Sequence, residues 1–422
     1  MAARRGLGRI LTDIRPLQES ADYRRLWIGQ TVSQLGQQMA TVTVAYQIFV
    51  ITGSPFAVGV VGIVALVPLV VLGLYGGALV DHFDRRKVAL VTALGLWLCT
   101  AVLLGQALLD LESVALLYGV VAVQSGLFAV NNPARSAIIP RLVPAHLLPA
   151  ANALGMAAFN LGFTVGPLLG GVVIAWVGVA ATYAIDLVTF TAAVYALVRL
   201  PSIPPLDAPP GVPGFRSVVE GITWLRRAPN LRMTFVLDLC AMVLAQPRAL
   251  FPALALTVYA GGPSALGLLQ AAPAIGSLVA FALSGWISRV HRHGVAILVA
   301  VLAYGASIAL AGVSAIGAPG VMWLVVTMLA FSGSADMVSS AYRSTMLQQA
   351  APDALRGRLQ GVFTVVVAGG PRLGDFLAGS VAELTTTGMA MLYGGVACIV
   401  GASVAVALQR GFLSYDARHP RP

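Results

Sequence analysis

Residues 57–87 decide the fold of this chain, and they read AVGVVGIVALVPLVVLGLYGGALVDHFDRRK. No charged side chain occurs in the first 24 positions of this stretch. A helix of about 20 apolar residues is long enough to cross the hydrocarbon core of a bilayer. The stretch therefore predicts a membrane-spanning helix that ends in a short, strongly charged loop.

The whole chain shares the character of this stretch. Of its 422 residues, 58% are hydrophobic and 10% are charged, whereas a soluble domain has about 25% charged residues. Because so few charges cannot cover a water-facing surface, the composition excludes a soluble enzyme, a disordered chain and a secreted disulfide scaffold. We expect an all-α membrane protein.

The same hydropathy criterion, applied along the chain, predicts twelve membrane-spanning helices. The connecting segments leave no room for a further soluble domain. In chain order the predicted spans are 27–50, 57–80, 88–109, 114–133, 148–176, 179–198, 233–258, 265–286, 295–315, 320–341, 359–382 and 389–408.

The distribution of basic residues predicts the orientation of these helices. Of the 26 lysines and arginines, 24 lie before the first span, in every second loop and in the C-terminal tail, and the opposite loops carry only acidic charges. Because basic loops stay on the cytoplasmic side, we expect both termini in the cytoplasm. The net charge of +10 is thus a topology signal. The expected partner is the lipid bilayer rather than a nucleic acid.

The two halves of the chain repeat one another at a shift of 208 residues. The aligned pairs include Arg135 and Arg343, Gly162 and Gly370, Gly166 and Gly374, and Gly171 and Gly379. Two parallel repeats are typical of transporters that rock around a central site, and a proline-rich segment lies where the repeats must join. The predicted units are a cytoplasmic segment 1–26, an N-terminal half 27–199, a linker 200–232, a C-terminal half 233–409 and a tail 410–422.

The loop after the second span resembles the signature of the major facilitator superfamily, in which a glycine, an aspartate and a basic cluster join helices two and three. The matching residues are Gly77, Asp81, Arg85 and Arg86, with which we group Arg135 of the next basic loop. Glycine lets helices approach closely at the membrane edge, and Asp81 lies within reach of Arg85 or of a helix end in the other half. We expect a cytoplasmic latch that opens and closes during transport, with a static topology anchor as the alternative.

The fifth span carries a second motif, which resembles that of proton-driven exporters in the same superfamily. It consists of Gly162, Gly166, Pro167, Gly170 and Gly171. Because small residues allow close helix packing in a membrane, we expect a tight contact between this span and a helix of the other half.

Further stretches resemble one branch of that superfamily, formed by bacterial exporters of the siderophore enterobactin and by related macrolide and drug pumps. They are Arg248-Ala-Leu-Phe-Pro, Thr345-Met-Leu-Gln348, Leu355-Arg-Gly-Arg358 and Gly374-Asp375. The resemblance implies a proton-driven exporter of a catecholate-type siderophore, or alternatively a multidrug or macrolide efflux pump. Nutrient uptake is a further alternative, which the exporter motif argues against.

Four acidic residues fall inside predicted spans, where a charge costs about 2.5–3.5 kcal/mol on insertion scales. Asp375 ranks first as a proton-coupling residue because it interrupts the repeat at the position of Pro167, followed by Asp238 and Asp336. For Asp186 we expect a structural hydrogen bond. The alternatives are that Arg372 neutralises Asp375 and that Asp336 pairs with nearby polar groups.

Candidate residues for a substrate cavity are the remaining costly polar groups in the spans. Arg248 follows Pro247 in the seventh span, and a planar guanidinium suits an anionic or phenolate ligand. The alternative is that Arg248 holds one of the buried acids in place. A polar stripe in the first span should face water or substrate rather than lipid, although hydrogen bonding between helices is the alternative. The candidates are Arg248, Arg372, Gln30, Gln34, Gln37, Thr41 and Asn160.

The sequence also limits which energy source can drive transport. A phosphate-binding loop needs a Gly-Lys-Ser/Thr motif, and the single lysine, Lys87, lies between Arg86 and Val88. We therefore expect a secondary active transporter, with no cofactor, no metal and no enzymatic activity. We expect it to act as a monomer.

Overall fold

The computed structural model describes residues 13–204, 223–317, 321–350 and 353–418, and it is almost wholly helical. A long helix lies in every stretch that hydropathy predicts as a span. In chain order these are α1 (Ala21–Thr52), α2 (Pro55–His82), α3 (Arg85–Leu108), α4 (Val114–Leu142), α5 (Leu148–Trp176), α6 (Val179–Val198), α7 (Pro229–Leu244), α8 (Gly262–Ala282), α9 (His293–Gly317), α10 (Met322–Ala350), α11 (Asp353–Leu384) and α12 (Thr387–Leu408).

Ten helices among the described residues are long and apolar enough to cross a membrane. The chain is therefore an integral membrane protein. The two long helices outside this set are α1 and α11. α1 carries several glutamines, and α11 carries Arg372 and Asp375. Both helices are therefore more polar than an ordinary lipid-facing helix.

Two helices extend well past their predicted ends. α4 continues to Leu142 and α10 to Ala350, whereas hydropathy ends the corresponding spans at 133 and 341. Arg135 and Arg343, which the sequence places in cytoplasmic loops, therefore lie inside helices. The prediction was wrong at these positions because an arginine lowers local hydropathy even when the helix continues around it.

Polar caps and glycines set the helix ends. The Ser54 side chain accepts a hydrogen bond from the Ala57 N–H at 3.2 Å and so caps α2. Gly53 ends α1 at φ +65° and Gly178 separates α5 from α6 at φ +97°, backbone angles that residues with side chains rarely adopt.

We name the two ends of the helix bundle after nearby residues. The Gly53 end carries the turns at Gly53 and Gly178. The Asp84 end carries the turn at Asp84 and the chain at Leu200.

The helical segment that begins at Pro229 is interrupted. Regular α-helix stops at Leu244, a 3-10 turn covers Arg248–Leu250, and a π-helical turn covers Leu254–Val258. Pro247 and Pro252 lack the N–H groups that a continuous helix would use. We call residues 245–250 the α7 break, and it contacts both α2 and α11.

Each half of the chain has its own apolar core. The largest cluster of buried apolar side chains lies beyond residue 224, with Val42 as its one member from α1. The other clusters belong to α1–α6 and the segments beside them, apart from Ala249 and Ala253 near the α7 break. Contact between the halves runs mainly along α2 with α11 and along α5 with α8.

Candidate transport site

Two glycine contacts join the halves near the Gly53 end. A Cβ on Gly171 of α5 would lie 2.5 Å from the Pro263 carbonyl oxygen, and one on Gly267 of α8 would lie 2.5 Å from that of Pro167. The backbones of α5 and α8 therefore touch directly.

The second contact is the repeat of the first. A Cβ on Gly59 of α2 would lie 2.6 Å from the Asp375 carbonyl oxygen, and one on Gly379 of α11 would lie 2.6 Å from that of Pro55. Gly59 aligns with Gly267, and Gly379 aligns with Gly171, at the shift of 208 residues. We call these two contacts the glycine seams.

The exporter motif divides its glycines between two neighbours. Gly171 meets α8 in the other half, as the sequence led us to expect. Gly162 and Gly166 instead lie against the side chains of Gln34 and Gln38 on α1, within the same half, and Gly170 lies against Met39. The motif thus joins α5 to α1 along its length and to α8 near its end.

Polar and aromatic contacts add to the seams at the Gly53 end. The Ser54 hydroxyl donates to a Glu383 carboxylate oxygen at 2.7 Å, which links the start of α2 to the end of α11. The rings of Phe56 and Phe376 lie 5.7 Å apart. A cavity of about 510 Å³ lies beside this contact and is lined in part by Phe49, Thr257, Thr385 and Met389.

The C-terminal half contains a buried arginine that two carboxylates share. Arg343 of α10 forms an ion pair with Asp238 of α7, and its Nη2 lies 3.3 Å from an Asp336 carboxylate oxygen. The side chains of Arg343 and Asp238 are 6% and 5% exposed, whereas that of Asp336 is 40% exposed. The structure thus brings two of the predicted proton-coupling residues to one guanidinium.

Asp375, the first-ranked of the predicted proton-coupling residues, lies at the α7 break. A carboxylate oxygen of Asp375 accepts a hydrogen bond from the Ala249 N–H at 3.2 Å. This N–H lies beyond the last regular turn of α7, so Asp375 satisfies a donor that the break would otherwise leave unpaired. Arg372 instead donates to the Ala368 carbonyl oxygen of its own helix at 2.8 Å. Direct pairing of Arg372 with Asp375 is therefore not what the structure shows.

The α7 break also carries Arg248. It is exposed, at the α7 break where α7 meets α2 and α11. Its charge acts on the carboxylates of both Asp336 and Asp375. The hydroxyl of Tyr304, from α9, reaches the Ala245 carbonyl oxygen in the same break at 3.5 Å.

The other cavity candidates lie in the N-terminal half. Gln30, Gln34, Gln37 and Asn160 are partly exposed, and Thr41 is exposed. The Thr41 hydroxyl donates to the Gln37 carbonyl oxygen at 2.8 Å within α1. Gln34 is partly exposed, as a cavity residue would be, and its side-chain carbon atoms also pack against Gly162.

Asp186 stands apart from the acids of the C-terminal half. It is 2% exposed and accepts a hydrogen bond from the Thr100 hydroxyl of α3 at 3.0 Å. A Cβ on Gly36 of α1 would lie 2.8 Å from its other oxygen. One carboxylate oxygen thus has a hydrogen bond of the structural kind that the sequence suggested, and Oδ1 is buried without a partner among the described residues.

The latch residues that are described bond within the N-terminal half. Arg85 donates to the Ala137 carbonyl oxygen of α4 at 3.2 Å, and Arg86 donates to the carbonyl oxygens of Leu197 and Val198 at the end of α6. The side chains of Gly77 and Asp81 lie outside the described part of the structure. The latch itself therefore stays a prediction.

Asp84 has a role that sequence reasoning missed. Its carboxylate accepts hydrogen bonds from the Arg86 and Lys87 N–H groups and caps α3. It also accepts from the Ser202 hydroxyl and, at 3.3 Å, from the Ile203 N–H. Partial burial opposes ionisation, but these hydrogen bonds outweigh it and hold the pKa of Asp84 below its ordinary value. Asp84 thus fastens the start of the linker to the loop between α2 and α3.

Arg135 is the repeat counterpart of Arg343 and differs from it. Its Nε and Nη2 atoms are buried without a hydrogen-bond partner among the described residues, and the same is true of the Arg343 Nε. The difference is that Arg343 also forms ion pairs. Arg343 was visible in the sequence as the repeat partner of Arg135 and as a residue seven positions after Asp336. Because it was assigned to a cytoplasmic loop, the sequence did not identify it as the centre of an ion network.

Long apolar helices that meet along paired glycine contacts and enclose a buried ion pair define a membrane transporter of the major facilitator type. The model of the transmembrane secretion effector family matches residues 12–417. The chain belongs to that family.

The most similar proteins agree with this assignment. The enterobactin exporter EntS of Citrobacter koseri is 28% identical over 378 residues, which are 89% of each chain. The same protein from Escherichia coli O127:H6 matches to the same extent. A mutant of the nucleoside transporter NupG has a TM-score of 0.76 at 14% identity, covering 92% of this chain and 99% of its own. A bacterial homologue of the iron transporter ferroportin, in an inward-facing state, has a TM-score of 0.69 at 15% identity, covering 93% and 99%. At such identities the structures show a shared fold and nothing more.

Proposed function

We propose that this protein is a secondary active transporter that exports a small molecule across the cytoplasmic membrane in exchange for protons. In this proposal α1 and α11 also cross the bilayer, which gives twelve spans in two six-helix repeats. The repeat relation between the two glycine seams supports this architecture, since the glycines of one seam are the repeat counterparts of the glycines of the other. The segregated apolar cores support a division into an N-terminal half, a linker and a C-terminal half.

The places where the halves touch support transport by alternating access. The seams, the Ser54 to Glu383 hydrogen bond and the Phe56 to Phe376 ring contact all lie near the Gly53 end. By the distribution of arginines this end faces outwards. We infer that the structure is closed to the outside and that export requires these contacts to open while the Asp84 end closes.

The orientation can be tested without knowing the cargo. Ser113 is exposed at the Gly53 end, and Lys87 is exposed at the Asp84 end. In a variant that lacks the three native cysteines, Ser113→Cys should react with an impermeant thiol reagent added to intact cells, and Lys87→Cys should react only after the membrane is opened. The reverse pattern would overturn the orientation.

The observation that carries the transport proposal is the group of charges at and beside the α7 break. Arg248 is exposed there, and its charge acts on Asp336 and Asp375. A proton that binds to either carboxylate changes the partners available to Arg248, and this links protonation to the segment that joins the halves. The proton-coupling candidates are therefore Asp375, Asp238 and Asp336.

For the cargo we propose a catecholate-type siderophore, on the strength of the two EntS relatives and of Arg248. Coupling between two ligands is reciprocal, so exchange of cargo for a proton requires cargo that prefers the ionised carboxylate. A catechol meets this condition, because one hydroxyl can donate to the carboxylate while the oxygen of the other hydroxyl accepts from the guanidinium. A fully anionic ligand would instead bind better after protonation and would reverse the coupling.

The cargo test compares two ligands in one assay. Efflux of enterobactin and of a neutral macrolide is measured from membrane vesicles that contain the wild type, Arg248→Ala or Arg248→Lys. We expect Arg248→Ala to impair enterobactin efflux more than macrolide efflux. Arg248→Lys should rescue only part of it, because a point charge lacks the planar fork of donors. Equal loss of both would make Arg248 a structural pin and favour the multidrug or macrolide pump.

A further inference from the structure

The two carboxylates that share Arg343 differ in their access to water. Asp238 is 5% exposed and contacts an arginine that is 6% exposed, so both members of that pair are enclosed by protein. Asp336 contacts the same guanidinium at 3.3 Å but keeps 40% of its side chain exposed. One arginine thus holds one carboxylate inside the protein and a second at its surface.

Protonation of Asp238 is unfavourable for a structural reason. Removing one partner of a buried ion pair costs about 3–5 kcal/mol, because the remaining charge is left in a poorly solvated site. A neutral Asp238 would leave the buried Arg343 with Asp336 alone, at the longer of the two separations. A proton would also have to reach a side chain that solvent barely touches.

Asp336 presents the opposite case. If it takes up a proton, the buried pair of Arg343 and Asp238 remains intact, so no buried charge loses its counter-ion. The charged and titratable groups that face it come from its own helix (Arg343), from α7 (Asp238, behind the guanidinium, and Arg248 at the break) and from α9 (Tyr304). Asp375 of α11 bonds to the Ala249 N–H, next to Arg248 at the break.

We propose that Arg343 fixes Asp238 as a permanent counter-ion and thereby leaves Asp336 as the carboxylate that binds the transported proton. Arg343 is then a positioning residue, and Asp375 serves to hold the α7 break through its hydrogen bond to the Ala249 N–H. This inference rests on the proposed proton coupling for its role in transport, but the proton site itself exists or fails independently of any cargo.

The repeat strengthens the assignment. At the shift of 208 residues, Asp238 aligns with Gln30 and Asp336 aligns with Phe128, while Arg343 aligns with Arg135. The N-terminal half therefore keeps the arginine and lacks both carboxylates at these positions. A shared structural need of the two halves would explain the arginine alone, and the pair of acids requires a function that is specific to the C-terminal half.

The experiment measures proton binding directly and needs no cargo. Purified protein in lipid nanodiscs is cycled between acid and neutral pH, and infrared difference spectra record the carbonyl stretch of protonated carboxyl groups. Because the chain has 16 acidic side chains, the wild-type carboxyl band has many components. We expect one pH-dependent component, assigned here to Asp336, to be lost in Asp336→Asn. The same component should persist in Asp238→Asn and in the matched control Asp186→Asn, which changes a buried aspartate of the other half.

A second variant guards against misfolding. If Asp238→Asn fails to fold because it strands Arg343, the double variant Asp238→Asn with Arg343→Gln removes both charges together and should retain the Asp336 band. Loss of the band in Asp238→Asn or in the double variant, or its survival in Asp336→Asn, would overturn the proposal. A wild type that binds a proton at Asp336 but exchanges no cargo in vesicles would leave this inference standing and refute the proposed function instead.

Discussion

The two halves of this protein solve the problem of polar groups in a membrane differently. In the N-terminal half, buried polar side chains are mostly neutral and bonded to one another across helices. Gln47 and Gln106 exchange hydrogen bonds at 3.0–3.1 Å, and the Tyr183 hydroxyl donates to the same Gln47 oxygen at 3.0 Å. In the C-terminal half, the corresponding role falls to ions that cluster around Arg343 and Arg248.

The repeat makes this comparison position by position. Arg248, Arg372 and Asp375 align with Ala40, Thr164 and Pro167, so each of these three charges has a neutral counterpart. Neutral amide networks keep the same hydrogen bonds at every pH of interest, whereas ions can exchange partners when a proton arrives. We infer from this difference that the N-terminal half serves mainly as a scaffold and that the ions of the C-terminal half respond to a proton gradient.

The largest expected effect comes from removing the proposed proton site. Asp336→Asn should abolish gradient-driven efflux of enterobactin from vesicles, because the asparagine cannot take up a proton. Asp186→Asn, which removes a carboxylate from the N-terminal half, should retain gradient-driven efflux. If the two variants lose transport equally, the assignment of proton coupling to one half is wrong.

A smaller but still large effect is expected on stability at the repeated arginines. Arg343→Gln leaves the buried Asp238 without its ion-pair partner and should lower the free energy of unfolding by about 3–5 kcal/mol. Arg135→Gln removes a guanidinium with two unpartnered nitrogens, so we expect a loss of about 1 kcal/mol or less. Unfolding in mixed micelles measures both, and similar losses would show that the halves use their arginines alike.

The glycine seams should respond in the same way in both halves, because here the halves are symmetric. Gly171→Ala and Gly379→Ala each force a methyl group against backbone, which costs about 1–3 kcal/mol in a packed interface. We expect both to loosen the Gly53 end and to raise the reactivity of a cysteine placed at Thr257 towards an impermeant thiol reagent. Gly105→Ala is the control, since its Cβ would meet nothing within 4 Å. An effect confined to one seam would contradict the symmetry.

The smallest expected effect concerns Asp84. Asp84→Ala removes the cap of α3 and should lower local stability by about 1 kcal/mol, seen as faster hydrogen exchange at the Arg86 and Ile203 amides. Since the pKa of Asp84 is held below its ordinary value of 3.8, its contribution is present above about pH 4 and is lost as the pH falls through the lowered value. Asp84→Asn should retain most of the cap and lose this pH dependence. Unchanged exchange in Asp84→Ala would show that the linker start is held by other contacts.

Much of this architecture could be predicted from the sequence because hydropathy acts on whole helices. A run such as residues 57–80 has one stable solution in a bilayer, and the glycines of the exporter motif indicated a backbone contact that Gly171 makes. The positions of Arg135 and Arg343 could not be predicted in this way. Hydropathy treats an arginine as the end of a span, but its long side chain can turn inwards when a carboxylate from another helix meets it.

The candidate site was predicted in its residue types but not in its partners. The acids Asp238, Asp336 and Asp375 were identifiable because charges inside spans are costly. Their ranking depended on information that only the fold supplies, namely that Asp238 and Asp336 meet one guanidinium from two helices and that Asp375 bonds to a backbone N–H at the α7 break. Sequence spacing paired Arg372 with Asp375, whereas Arg372 turns to its own helix.

The most direct test of the account is the direction of cargo movement under an imposed pH gradient. Inside-out vesicles containing the wild-type protein are prepared with an acidic lumen, and enterobactin is added outside. We expect enterobactin to accumulate in the lumen above its outside concentration. A protonophore should return the enterobactin concentration in the lumen to that found in vesicles without the protein. Accumulation that survives collapse of the gradient, or that requires an alkaline lumen, would contradict exchange of cargo for protons.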